Sequence, residues 1–370
     1  MSRGLLRLLA VLLLLLSALA TAGFGPPTLV ESDDAASPVS PSILKQMRLD
    51  RQPQLSAKAA VILDVTSGQF ILEKNSHSRR APASTTKMTT ALVTLENARL
   101  SDVVTAGPNV KVEPSIIGLD PGDKLTVEQL LYGLLLPSGN DAAVALAEHV
   151  GGTQAAFATM MNAKVAQLGL EDSRYVNPHG LDAAGHYSSA YDLALTARAA
   201  FENPVFEKIV ATREYRIESP VKWYFKNNNR LLDTFLGADG VKTGYTDDAG
   251  RCLVASATRG GHRIITVVLD SLDTVAESAA LLDYAFSNYS WEPIRAGDSP
   301  LGVYGQGTEM RRLVAAPQPD MIIANWQRPY LRWYFSVPSG QGQGDGTSGR
   351  ITYYLFGRKV AEFQLRGDQR

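Results

Sequence analysis

Two β-prone runs lie far apart in this chain, and neither can be stable alone. Residues 59–74, AAVILDVTSGQFILEK, and residues 251–270, RCLVASATRGGHRIITVVLD, each read as a pair of strands, turning at Ser67-Gly68 and at Gly260-Gly261. An isolated hairpin is marginal in water. Between the two runs the period changes to that of a helix, as in Met88, Ala91, Leu92 and Leu95, or Phe157, Met161, Val165 and Leu168. The first and last strands must therefore meet in one antiparallel sheet, packed against a helical cluster: an α/β (α+β) domain.

The helices carry their own punctuation. VEQLLYGLLL stops at Pro137, and NDAAVALAEHV has Asn140 or Asp141 as N-cap and Gly151-Gly152 as its stop. SSAYDLALTARAAF opens with Ser189 and Asp192 in a capping-box arrangement, and TVAESAALLDYAFSN reads as a closing helix. After about residue 292 the helical period is gone, while RWYFSVP, RITYYLF and KVAEFQL are β-like around the glycine-rich SGQGQGDGTSG, expected to be a flexible loop. We therefore expect a larger mixed α/β domain over 56–291 and a small all-β domain over 292–370.

The N-terminus speaks for export. Arg3 and Arg7 precede a leucine run and the small-x-small sequence Ala20-Thr21-Ala22, so residues 1–22 read as a signal peptide; the alternative is an uncleaved membrane anchor. Residues 23–55, rich in Pro, Ser and Asp, read as a linker. The single cysteine, Cys252, excludes an internal disulfide and is expected to be a small buried hydrophobe. A formal net charge of -1 gives no electrostatic case for nucleic acid. The partner is expected to be small or peptide-like.

The chemistry starts at APASTTKMTT. Ser84 and Lys87 are one helical turn apart, so hydroxyl and amine can reach each other, and no carboxylate in the stretch would hold the amine charged. A lysine serves as base only when neutral, which burial and a second cation favour. If Ser84 begins the helix, its N–H points where an oxyanion would be stabilised. Taken alone, Ser-x-x-Lys also fits a plain N-cap with a solvated lysine. Two further stretches change that: PSGND, with Ser138 and Asn140, and GVKTGYTDD, with Lys242, Thr243 and Gly244.

Ser-x-x-Lys, Ser-x-Asn and Lys-Thr-Gly in this order resemble the serine penicillin-recognising enzymes. With LLYGLLLPSGNDAAVALAEHVGG, NPHGLD and HYSSAYDLA, the chain is similar to the low-molecular-mass D-alanyl-D-alanine carboxypeptidases, the S11 peptidases, over roughly residues 56–290. The resemblance implies a transpeptidase-like fold and hydrolysis of peptidoglycan stem peptides. Ser84 would attack the penultimate D-alanine carbonyl, Lys87 would take its proton, and water would release the acyl-enzyme. Lys242 would keep Lys87 neutral, Ser138 would relay the proton to the leaving amine, and Asn140 would hold Lys87 and a substrate amide. The Lys-Thr-Gly strand would be an edge to which substrate adds, with Gly244 leaving room, and the N–H groups of Ser84 and Tyr245 would form the oxyanion hole. β-Lactams are implied as covalent inhibitors, and no cofactor is implied.

One stretch departs from the pattern. Many relatives place an arginine between the last strand and the closing helix for the terminal carboxylate, but here it reads DSLDTVAES. Thr243, Thr246, Lys242 or Arg251 would have to serve. Three rivals stand beside this reading. His179, Asp182 and His186 have metal-ligand spacing, a β-lactamase would share the motifs but need an added carboxylate base, and a silent wall-binding protein would need no chemistry.

Overall fold

The computed structural model describes residues 52–218, 223–292, 303–304, 311–315, 320–336 and 347–367. The signal-peptide reading, nearly all of the linker and most of the glycine-rich run lie outside the described residues; Thr347 to Gly349 of that run open a strand. The chain divides into two compact units, Pro53–Ser287 and Asn288–Arg370 with Met1–Gln52. Among the described residues no helix is long and apolar enough to cross a membrane.

In the first unit the strands are β1 (Ala59–Asp64), β2 (Phe70–Lys74), β3 (Val103–Thr105), β4 (Lys124–Thr126), β5 (Glu214–Ile217), β6 (Trp223–Lys226), β7 (Ala238–Thr246), β8 (Gly250–Arg259) and β9 (His262–Leu269). Its helices are α1 (Lys87–Asn97), α2 (Val127–Leu135), α3 (Asn140–Gly151), α4 (Gln154–Gln167), α5 (Ala190–Ala200), α6 (Pro204–Ala211), α7 (Leu231–Thr234) and α8 (Thr274–Asn288).

The two β-prone runs do meet. The main sheet is antiparallel in the order β2-β1-β9-β8-β7, with Ala59 opposite Leu269 and Asp64 opposite Ile264. Every residue of β1 is buried, so both faces at the sheet's centre are covered. Helix α5 packs on β1 and β9. Gly260 and Gly261 both have positive φ, 59° and 84°, the backbone of a tight hairpin turn whose twist matches the strands.

Some helix ends follow local chemistry and others do not. Thr126 and Gln129 form a capping box on α2, and Gly152 ends α3 at φ 72°. Ser189 accepts from the Asp192 N–H at 3.1 Å, but the Asp192 carboxylate turns to Asp172 N–H and Ser173 Oγ–H, so only half of the expected box forms. Helix α3 is capped by neither Asn140 nor Asp141; Gly139 is its N-cap, without a side-chain bond.

The helical cluster has its own apolar centre, where Phe157, Met161 and Val165 of α4 meet Val93 of α1 and Ala147 of α3. This packing holds α1 and α3, the helices that carry the motif residues. In the second unit, β11 (Val303–Tyr304), β12 (Arg311–Ala315), β14 (Leu331–Ser336), β15 (Thr347–Leu355) and β16 (Arg358–Gly367) form an antiparallel sheet in the order β11-β12-β16-β15-β14. A separate pair joins β10 (Tyr289–Glu292) to β13 (Met321–Ala324).

Phe157 is fully buried. Phe157→Ala should therefore cost about 3–5 kcal/mol, read as a lower midpoint in urea unfolding with an unchanged slope.

Candidate active site

Three segments converge where the sheet ends. Strand β7 pairs with β8 along one edge only, and the turn Ala83–Thr86 packs against it. A Cβ on Gly244 would lie 3.1 Å from the Ser84 backbone nitrogen and 3.1 Å from the Ala83 Cβ. Glycine at this position thus lets the edge strand come against the backbone of Ser84 itself.

Ser84 does not begin the helix. It sits inside a turn of 3-10 helix that precedes α1, and the residue before it, Ala83, is held at φ 48°. Its side chain is not used as a cap. Instead Lys87 Nζ lies 2.7 Å from Ser84 Oγ, 2.6 Å from Asn140 Oδ1 and 2.7 Å from the carbonyl oxygen of His179.

Those three partners decide where the amine's lone pair points. Asn140 Nδ2 donates to the Glu113 carbonyl at 2.8 Å, which fixes Oδ1 toward Lys87. Asn140 Oδ1 and His179 O can only accept, so a neutral amine donates its two N–H bonds to them. The lone pair is left for the Ser84 hydroxyl, which then donates to nitrogen. This is the geometry of a general base beside a nucleophile.

The electrostatics agree. Lys87 has no exposed surface, which excludes the solvated-lysine alternative, and its pKa is held well below the usual lysine value. Burial is the largest cause, the charge of Lys242 the second, and Asp141 acts in the opposite direction. Lys242 is itself buried, which lowers its pKa to about 7, and it donates to the Thr243 carbonyl at 2.9 Å. Burial therefore leads and the second cation follows.

Asp141 is the carboxylate missing from the opening stretch. Its oxygens accept from the N–H groups of Ile117, Gly118, Leu119 and Ala142 at 2.8–3.0 Å, with no bond to Lys87. The two residues expected to cap α3 are thus used elsewhere, Asn140 on Lys87 and Asp141 on the 117–119 loop. Ser138, just before them, is buried with φ 73°, a sterically costly conformation for a residue other than glycine.

A second loop, residues 177–186, supplies the His179 carbonyl. Asn177 Oδ1 accepts from the Gly180 N–H at 2.7 Å, and Leu181 N–H donates to His179 Nδ1 at 3.2 Å. Val176 N–H donates to His186 Nδ1, leaving the opposite ring nitrogen 2.9 Å from Thr86 Oγ1. Asp182 accepts from Thr246. The three residues with metal-ligand spacing thus fasten the loop at three separate points, and among the described residues no His, Cys, Asp and Glu group is placed to hold a metal ion.

The remaining sequence candidates are dispersed along β7 and β8. Thr243 is half-buried beside Lys242, and Tyr245 is exposed with its hydroxyl donating to Asp247. Arg251 donates to the Leu272 carbonyl at 3.0 Å. Cys252 is buried, as expected, and burial pushes its thiol up to about 11.

A family model described as D-alanyl-D-alanine carboxypeptidase, Peptidase_S11, matches residues 46–273. The chain belongs to the S11 peptidase family. D-alanyl-D-alanine carboxypeptidase DacF of Bacillus subtilis is 40% identical over 249 residues, 64% of this chain and 64% of that protein, so the match spans just under two thirds of the relative. DacA of Escherichia coli is 37% identical over 280 residues, 67% of this chain and 68% of that protein. Among solved structures, DacD from Francisella tularensis superposes with a TM-score of 0.69 at 28% identity, covering 85% of this chain and 94% of that one. Penicillin binding protein 5 from Haemophilus influenzae gives 0.69 at 30% identity, covering 85% and 97%.

Of the groups that act on Lys87, Ser84, Asn140 and Lys242 were expected from the motifs, and two contributions were not. The His179 carbonyl was invisible because a backbone acceptor has no residue signature. Asp141 stood in PSGND but read as a helix cap.

Two outcomes follow from the loops. A Cβ on Gly180, where φ is 92°, would overlap the Ala83 carbonyl. Gly180→Ala should cut the rate at which penicillin labels the chain by at least about tenfold, measured by stopped-flow, while circular dichroism stays unchanged. Burial lowers the pKa of His179 to about 3 and of His186 to about 4, from 6.5. Below pH 6.5 the unfolded chain binds protons that the folded loop refuses, so this stability is whole above pH 6.5 and falls toward pH 4, by several kcal/mol in order of magnitude. His186→Gln should flatten that slope in denaturant titrations across pH 4–7.

Proposed function

We propose that this S11 chain is a serine D-alanyl-D-alanine carboxypeptidase that removes the terminal D-alanine from peptidoglycan stem pentapeptides. The observation that carries the reading is the contact of a buried lysine with acceptor-only neighbours on two sides and a serine hydroxyl on the third.

Ser84 Oγ attacks the carbonyl carbon of the penultimate D-alanine while its proton passes to Lys87 Nζ. The tetrahedral oxyanion accepts from the N–H groups of Ser84 and Tyr245, a reading supported by Gly244, where any side chain would crowd the Ser84 nitrogen. Collapse breaks the C–N bond, and the proton reaches the leaving D-alanine nitrogen through Ser138. Water then attacks the ester and regenerates Ser84. Lys242 and Thr243 face the substrate's terminal carboxylate, and Asn140 holds Lys87 and a substrate amide.

β-Lactams enter the same chemistry and stay as the ester. Asp141, the buried carboxylate whose charge acts on Lys87, is saturated by backbone N–H groups, which argues against fast hydrolysis of that ester and so against a β-lactamase. Such a substrate lies outside the cytoplasm, in keeping with the export reading of residues 1–22. We place the enzyme in the periplasm or wall space, released or held by an uncut N-terminus, with the β-rich C-terminal unit spacing it from a surface or binding partners.

Mass spectrometry of a synthetic stem pentapeptide should show loss of a single alanine, and fluorescent penicillin should label the wild-type chain. Ser84→Ala should abolish labelling, and Lys87→Ala should slow acylation by at least about 10³-fold. Near-full activity in Lys87→Ala would end the base assignment.

A further inference from the structure

We infer that Asp182 and Thr246 form a latch that couples the substrate-side edge strand to the loop orienting Lys87, and that both are positioning residues for acylation. The inference rests on the carboxypeptidase reading and gives Thr246, a sequence candidate for the terminal carboxylate, a partner inside the protein: Asp182, for which that mechanism has no use.

The latch is built from one short bond and two supports. Thr246 Oγ1 donates to Asp182 Oδ1 at 2.8 Å, Asp248 N–H reaches Asp182 Oδ2 at 3.4 Å, and Ala249 N–H donates to Thr246 Oγ1 at 3.1 Å. A hydroxyl that accepts from one side and donates to a carboxylate on the other is fixed in direction, and a charged acceptor makes the bond stronger than a neutral one.

The loop has one end in each half of the site. At its inner limb, His179 O accepts from Lys87 and Gly180 lies against the Ala83 carbonyl. At its base, Arg174 and Tyr187 exchange backbone bonds at 2.8 and 2.9 Å, so both ends leave from a fixed point. Asp182 stands on the outer limb, where Ala183, Ala184 and Gly185 are exposed. Without the bond to Thr246, that limb has three exposed small residues and little to hold it to β7.

Thr246 lies two residues beyond Gly244, about 7 Å along an extended strand. By strand alternation it shares a face with Lys242 and Gly244. Pulling Thr246 toward the loop therefore draws in the edge that bears on Ser84, and pulling Asp182 toward β7 seats the His179 carbonyl on Lys87. One bond acts on the nucleophile's two neighbours together.

Releasing the latch has a direction that can be read in pH. Water entering under a loosened loop hydrates Lys87, and burial is the main reason its pKa is low. Its pKa then rises, and the fraction of neutral amine at a given acid pH falls. A role confined to stability would leave that limb where it is.

The test is a double-mutant cycle on the full chain, with fluorescent penicillin acylation followed by stopped-flow from pH 5 to 9 and kcat and KM measured on the pentapeptide. Thr246→Val and Asp182→Ala should each lower the acylation rate about tenfold, and the double variant should fall no further. The acidic limb should move to higher pH in all three, with kcat changed more than KM. Thr246→Ser, which keeps the hydroxyl, should restore the wild-type rate and limb. Additive losses, an unmoved limb or failure of the serine rescue would overturn the latch. A wild-type chain inert to penicillin overturns both latch and carboxypeptidase reading; an active wild type with unaltered variants overturns the latch alone.

Discussion

The site depends on keeping one amine out of water. Lys87 has no exposed surface, yet it carries a polar head that needs partners in the interior. Neutral, it needs two acceptors and one donor, and the fold supplies them from three different segments: Asn140 at the start of α3, His179 in the 177–186 loop, and Ser84 one turn away. If any of the three moves, a buried polar group is left unpaired, at a cost of order 1–3 kcal/mol. The same requirement that stabilises the lysine thus aims it at the serine.

Local rules give way around this constraint. Ala83 and Ser138 adopt positive φ without being glycine, each costing of order 1–3 kcal/mol; the first adjoins Ser84 and the second is itself a motif residue. Helix α3 starts without a side-chain cap because Asn140 and Asp141 are engaged across the site. The sheet compensates by rigidity. Its centre is buried on both faces, and β8 and β9 run as long paired strands, so β7 can present an open edge to the Ser84 turn without depending on that turn for its own order.

What could be read from the residues alone follows from where each signal resides. The meeting of β1 and β9 was legible because a lone hairpin has nowhere else to bury its apolar face. Gly260-Gly261 and Gly152 announce a turn and a helix stop through chemistry that acts over a few residues. The three motifs were legible because their side chains do the work. Other features were not. The His179 carbonyl belongs to every amino acid equally, and the function of Gly180 appears only when Ala83 is placed against it. Asn140 or Asp141 was read as the cap because capping is a local rule; Asn140 instead makes the contact with Lys87 that the motif implied, and Asp141 goes to a distant loop that no local rule foretells. The ligand-like spacing of His179, Asp182 and His186 is genuine along the chain, but the loop turns the three side chains to separate partners.

A buried carboxylate near a base that must stay neutral looks like a contradiction, since Asp141 favours the charged form of Lys87. The hydrogen bonds resolve it. The Asp141 carboxylate accepts from four backbone N–H groups, one at the start of α3 and three from the 117–119 loop. Its negative charge is thereby matched by N–H dipoles aimed at it from both sides, and of the three influences on Lys87 it is the smallest, behind burial and Lys242. An apolar side chain at this position would leave those N–H groups without acceptors and free the loop whose Glu113 carbonyl sets the orientation of Asn140. The carboxylate is tolerated beside the base because it is saturated, and it is needed because the wall of the site hangs from it.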